Sequence, residues 1–139
     1  MTDTKTEIMS NKIGQILAED MQYPLENTLL YAEVDSNWAS PSIFKDLGNQ
    51  ILFRRSYSKL TYPLLDLWEL SDPDKRWSAV EYVVRNGRFD ASFTYPEDLD
   101  PEEDRGDRRD RVVRKYFGDK PIRYPPFSDD DDDEDVFEL

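Results

Sequence analysis

The stretch from Trp77 to Tyr95 reads Trp-Ser-Ala-Val-Glu-Tyr-Val-Val-Arg-Asn-Gly-Arg-Phe-Asp-Ala-Ser-Phe-Thr-Tyr. Asn86-Gly87 is the strongest short hairpin signal, because both central residues of a type I′ turn need positive φ. After the turn, Phe89, Ala91, Phe93 and Tyr95 fall on one face, and Asp90, Ser92 and Thr94 fall on the other. That is a period of two, the period of a strand. Before the turn, Ser78, Val80, Tyr82 and Val84 alternate with Ala79, Glu81 and Val83; the first set is expected in the core, with Trp77 at its rim. Pro96 cannot donate to a ladder and ends the outgoing strand. A lone hairpin is marginal in water, so the rest of the chain must supply more strands and a cover for the aromatic face.

The remaining segments read accordingly. Thr4 to Met21 carries Ile8, Ile13, Ile16 and Leu17 at helical spacing, and Thr4 with Glu7 fits a capping box. Gly14 interrupts that pattern at a cost of about 1 kcal/mol relative to Ala, which suggests a close approach to the sheet. Thr28 to Asp35 has apolar residues on both faces and reads as a central strand. Ser36 to Ser42 is turn chemistry containing Trp38, which either packs back over the core or stands exposed as a binding anchor. Ile43 to Leu47 is ambiguous, and Gln50 to Tyr57 reads as a strand. Lys59 to Ser71 reads as a short helix with Pro63 in its first turn. Asp107 to Phe117 is a helix with Val112, Val113, Tyr116 and Phe117 as its apolar stripe, ended by Gly118.

These elements predict one α+β domain over residues 1–127, with an acidic tail over 128–139. An antiparallel sheet of four or more strands is covered on one face by the helices Thr4–Met21 and Lys59–Ser71. The helix Asp107–Phe117 is expected at an edge or in the same layer. Like-charge blocks do not fold by themselves, so the tail is expected to be disordered.

Composition removes whole classes of chemistry. The 139 residues contain no Cys and no His. That excludes disulfides, thiol nucleophiles and thiolate or imidazole metal sites. No apolar run is long enough for a membrane span. The first residues lack the basic start and apolar centre of a secretory signal. The expectation is a soluble cytoplasmic protein without membrane contact. Asp129–Asp133 lacks the Gly that a Ca²⁺ loop uses for its sharp turn, and there is no phosphate-cradling Gly-rich loop or nucleophile elbow. An enzyme would have to be built on carboxylates, Lys, Tyr, Ser and Thr alone; the reading is no enzyme and no cofactor.

Thirty-one acidic residues against 18 basic give a net charge of −13. Residues 1–96 hold 10 basic and 14 acidic residues, net −4; residues 97–139 hold 8 and 17, net −9. Phosphate neutralisation needs Lys and Arg, so the balance argues against direct nucleic-acid binding. It favours a basic protein partner met quickly and in a salt-sensitive way. Solubility alone is the plainer account of the charge. Arg105, Arg108, Arg109, Arg111 and Arg114 interleave with Glu102, Glu103, Asp104, Asp107 and Asp110, which reads as mutual pairing on a solvated helix face. The tail admits three readings: a solubilising end, a segment that enters a basic groove of a partner, or one that folds back on the chain's own Arg-rich helix or Arg54-Arg55.

Asn86-Gly87-Arg88-Phe89, the aromatic strand, Glu97-Asp98-Leu99, and the run from Arg108 to Gly118 resemble the YezG-like immunity proteins of bacterial toxin systems. Leu29 to Val34 fits that family's early strand, and the resemblance covers roughly residues 28–124. Residues 38–57 match less well, and the Asp-rich tail is not part of the pattern. The resemblance implies an immunity protein that neutralises a cognate toxin or effector domain by stoichiometric binding. A basic toxin cleft makes a nuclease the natural candidate. The expected contact residues are Glu97, Asp98, Asp100, Glu102, Glu103 and Asp104 of the linker. To these the tail adds Asp129, Asp130, Asp131, Asp132, Asp133, Glu134, Asp135 and Phe137, with Trp38 and Tyr124 as aromatic anchors. The alternatives are an acidic adaptor for a basic host protein and a carboxylate-based enzyme.

Overall fold

A computed structural model describes residues 4–54 and 58–125. In chain order its elements are α1 (Thr4–Leu17), β1 (Thr28–Asp35), β2 (Trp38–Asp46), β3 (Ile51–Arg54), a 3₁₀ turn (Ser58–Leu60), α2 (Thr61–Glu69), β4 (Ala79–Arg85) and β5 (Arg88–Thr94). A second 3₁₀ turn (Pro96–Asp98), α3 (Arg105–Phe117) and β6 (Ile122–Arg123) complete it. The six strands form one sheet in the order β5-β4-β1-β2-β3-β6. Every pairing is antiparallel except that of β3 with β6. The α+β reading and the sheet of four or more strands hold.

The β4–β5 turn forms as the Asn-Gly pair demands, with φ of 55° at Asn86 and 72° at Gly87. The Glu26 carboxylate accepts from the Asn86 and Gly87 N–H groups and holds the turn from outside. Next inward, β4 pairs with β1 from Thr28↔Val84 to Glu33↔Ala79. Because β1 is flanked on both sides, seven of its eight residues are buried.

One face of the sheet presents Leu30, Ala32, Val34, Val80, Tyr82 and Val84, packed beneath Ile13 and Leu17 of α1 and Leu60, Leu64 and Leu67 around α2, with Trp77 alongside. Each large aliphatic side chain buried there stabilises the fold by roughly 1.5–3 kcal/mol. Gly14 lies over this face as expected: a Cβ there would come within 2.7 Å of Tyr82 Oη.

The opposite face is also covered, and here the expectation for the third helix needs correcting. Leu29, Tyr31, Phe44, Ile51, Ala79 and Val83 pack under Val112, Val113 and Phe117, so α3 lies on the far side of the sheet from α1 and α2. The physical reason is in β1 and β4: strands apolar on both faces need a cover on both. Two further segments differ. Ser36–Ser42 is not all turn. Only Ser36 and Asn37 form it, and β2 starts at Trp38, paired through Asp35↔Trp38 and Pro41↔Ala32. Pro41 is accommodated because, among the described residues, β3 pairs with Ile43–Asp46 and no strand pairs with the first half of β2 on that side. Helix α1 stops at Leu17, short of Met21. Asp20 takes over there, accepting from the Gln22 and Tyr23 N–H groups and pairing with Arg54 Nε at 2.9 Å.

Candidate functional site

A buried carboxylate on the central strand fixes the start of α3. Glu33 is only 8% exposed. It accepts from Tyr31 Oη at 2.7 Å, Arg108 Nη1 at 2.8 Å and Arg105 Nε at 3.1 Å. Burial disfavours the charged form of Arg108, but Glu33 outweighs it and holds the guanidinium above its ordinary pKa. Burial, reinforced by Glu33, pushes the Tyr31 phenol up. Arg108 Nη2 then reaches the carbonyls of Asp100 (3.4 Å) and Glu103 (3.2 Å). The acidic linker is thereby tied by its backbone to the middle of the sheet. A second carboxylate, Glu81 of β4, is 7% exposed and accepts from Lys115 Nζ and Tyr116 Oη, each at 2.7 Å. The hydrogen bond that Lys115 donates to Glu81 holds the ammonium above its ordinary pKa.

These contacts revise the reading of the Arg-rich helix. Arg111 does pair with neighbouring Glu103, through two hydrogen bonds of 3.0 Å, and this lowers the Glu103 pKa. Arg105 and Arg108, however, hold Glu33. Arg109 donates to Ser42 Oγ at 3.3 Å and lies among the rings of Phe44, Phe53 and Tyr124. Sequence reasoning missed Glu33 and Glu81. The available signal was that each acid sits between apolar neighbours on a strand, Glu33 between Ala32 and Val34 and Glu81 between Val80 and Tyr82.

The linker carboxylates divide by what they already do. Asp104 caps α3, accepting from Gly106 N at 2.9 Å and Asp107 N at 3.4 Å. Asp100 accepts from Glu102 N at 2.9 Å and closes its turn. Glu103 is committed to Arg111 and, at 3.6 Å, to Arg108. Glu97, Asp98 and Glu102 are exposed, and none forms an ion pair with another described residue.

Trp38 is 39% exposed, and the Arg105 guanidinium lies over its ring at 4.8 Å. Arg105 is the first residue of α3, directly after the linker. The Asp35↔Trp38 and Ala79↔Thr94 pairs stand at the same end of the sheet, from which β5 runs into the linker. Trp38 and the segment Glu97–Asp104 therefore share one end of the fold. No protein-family model matches the chain, and no curated protein matches it.

Tyr124 is not part of this end. It is 46% exposed, packs on Phe53 at 5.3 Å and donates to Asp110 Oδ1 at 3.3 Å. Asp129–Asp135 and Phe137 lie outside the described residues. Among the described residues no cluster of three or more carboxylates converges to hold a metal ion, and no helix is long and apolar enough to cross a membrane.

Proposed function

We propose that this chain is an immunity protein that neutralises a cognate bacterial toxin by stoichiometric binding, without chemistry of its own. One observation carries the reading. Three uncommitted carboxylates, Glu97, Asp98 and Glu102, stand at the end of the sheet that also exposes Trp38. An exposed aromatic rimmed by charge is the composition of a binding hot spot. The buried Glu33–Arg108 pair holds the linker backbone in place beforehand, which lowers the ordering cost of association. The surplus of acid selects a basic partner surface and makes association fast and salt-sensitive. A cleft that holds nucleic-acid phosphates has that character, so the toxin is a nuclease in this proposal. The resemblance of residues 28–124 to YezG-like immunity proteins points the same way, and the place of action is the cytoplasm.

The test is co-expression with the product of the gene immediately upstream. The proposal expects that product to arrest growth alone, growth to recover when both are made, and a one-to-one complex on gel filtration. A harmless neighbour with no complex overturns it and leaves an acidic adaptor as the better account.

A further inference from the structure

Among the described residues, no strand pairs with the outer edge of the sheet at β5. In an antiparallel pair, residues alternate between facing the partner strand and facing away. Val84 O accepts from Asn27 N at 2.8 Å on the β1 side, so Val84 turns its backbone away from β5. Its β5 partner is Phe89. Phe89, Ala91 and Phe93 therefore direct their N–H and C=O groups outward, and none of these meets a partner among the described residues. Natural sheets blunt such edges with short strands, prolines, bulges or charge. The opposite edge does so: β6 has two residues, flanked by Pro121 and Pro125. By contrast, β5 has seven residues, no proline and a continuous register from Arg88 to Thr94. Its first five residues are exposed.

We propose that β5 is a self-association edge, where a second copy of this chain adds its own β5 antiparallel, centred on Ala91. The sequence fits itself in that register. Arg88 faces Thr94, Phe89 faces Phe93, Asp90 faces Ser92, and Ala91 faces Ala91 of the second copy. All seven residues pair, two Phe–Phe contacts form on the aromatic face, and no like charges stand opposite. The two neighbouring registers that keep the outward groups aligned pair five residues each. One sets Asp90 against Asp90; the other sets Phe93 against Ala91. A shift by one residue would put the aromatic face against the polar one.

A groove of about 610 Å³ supports the same occupant. It lies beside Phe89 on the aromatic face, between α1 and the hairpin, and its walls include Gly14, Gln15, Leu25, Tyr82 and Gly87. In the proposed register Phe93 of the second copy stands opposite Phe89 and its Tyr95 opposite Gly87, so its aromatic face arrives at the groove's mouth.

Charge gives the edge a signature of its own. Arg88 and Asp90 are the only charged residues of β5, so the local charge is balanced while each whole chain carries −13. Repulsion between the copies is long-range and screened by salt. Self-association therefore tightens with added salt, the opposite of binding through the acidic end.

Sedimentation equilibrium on the full chain, at about 50 mM and about 500 mM salt, tests this. The expected result is a mass near twice the 16.4 kDa chain, more completely so at the higher salt. Ala91→Lys places two ammonium groups beside each other across the twofold axis, where paired Cα atoms sit about 5.5 Å apart. Ala91→Pro removes the outward N–H while leaving the β4 ladder intact. Both variants should sediment as single chains with unchanged far-ultraviolet circular dichroism. A wild-type chain that stays single at both salts overturns the proposal. So does a double mass that survives Ala91→Lys, or an edge that gains hydrogen-exchange protection only when a different protein binds.

Discussion

Replacing Gly14 by Ala tests the closest approach between α1 and the sheet. On helix propensity alone the change stabilises by about 1 kcal/mol. A Cβ at that position would lie 2.7 Å from Tyr82 Oη and 3.8 Å from Tyr82 Cζ. The ring has little room to yield: Tyr82 is 1% exposed, stacks on Phe89 at 4.8 Å and donates to the Ser10 carbonyl at 2.9 Å. Displacing the hydroxyl forfeits a buried hydrogen bond, about 1–3 kcal/mol. Overpacking adds about 1–3 kcal/mol. The net expectation is a destabilisation of about 1–5 kcal/mol. In a Tyr82→Phe background the offending oxygen is gone, and the new methyl meets the ring carbon at an ordinary van der Waals distance. The same Gly14→Ala change should then stabilise, by up to about 1 kcal/mol. Urea unfolding of the four proteins gives the cycle, with a coupling of about 2 kcal/mol or more. If Gly14→Ala has the same sign in both backgrounds, the close approach is not what selects glycine.

The polar contacts set further outcomes. Glu33→Gln removes the counter-charge of Arg108, whose side chain is 9% exposed, and should cost about 3 kcal/mol in urea unfolding, as expected for a broken buried pair. Arg105→Ala removes a partner that is 58% exposed and should cost under about 1 kcal/mol. Equal costs for the two would contradict the burial argument.

Stability should also fall in acid. Burial alone would raise the Asp20 pKa, but the Gln22 N–H, Arg54 and Lys45 hold it below its ordinary 3.8, and Lys120 does the same for Asp46. The unfolded chain then binds these protons at higher pH than the folded one. The stabilisation is complete above about pH 5 and is lost as pH drops through the depressed folded values. A thermal midpoint unchanged from pH 6 to pH 3 would refute this. Finally, Trp38→Ala should leave the melting temperature within a few degrees of wild type and weaken complex formation, because the ring is partly exposed and touched by an exposed Arg.

The hairpin and the central strand were legible because their signals are local. Asn86-Gly87 specifies its own turn, and a strand apolar on both faces announces a place in the middle. The side on which α3 packs was not legible, because it depends on distance. Glu33 and Arg108 stand 75 residues apart in sequence, and only their meeting makes either burial tolerable. The β2 strand was hidden by Ser, Asn and Pro, whose local turn preference gives way where a full-length neighbour offers a ladder. At the candidate site the excess of acid was visible. Which acids are already used was not, since Asp104 caps a helix and Glu103 pairs with Arg111 only once α3 exists.

The most direct test of the central claim is the affinity of this chain for the upstream gene product, measured by titration calorimetry at low and high salt for wild type and for Glu97→Lys/Asp98→Lys/Glu102→Lys. These three residues are exposed and unpaired within the described fold, so the variant should fold as wild type does. The account predicts tight one-to-one binding by wild type that weakens with salt, and at least about a hundredfold loss in the variant, roughly 2.7 kcal/mol. Tight binding that neither salt nor the charge reversal alters would contradict it and move the interface away from the acidic end of the sheet.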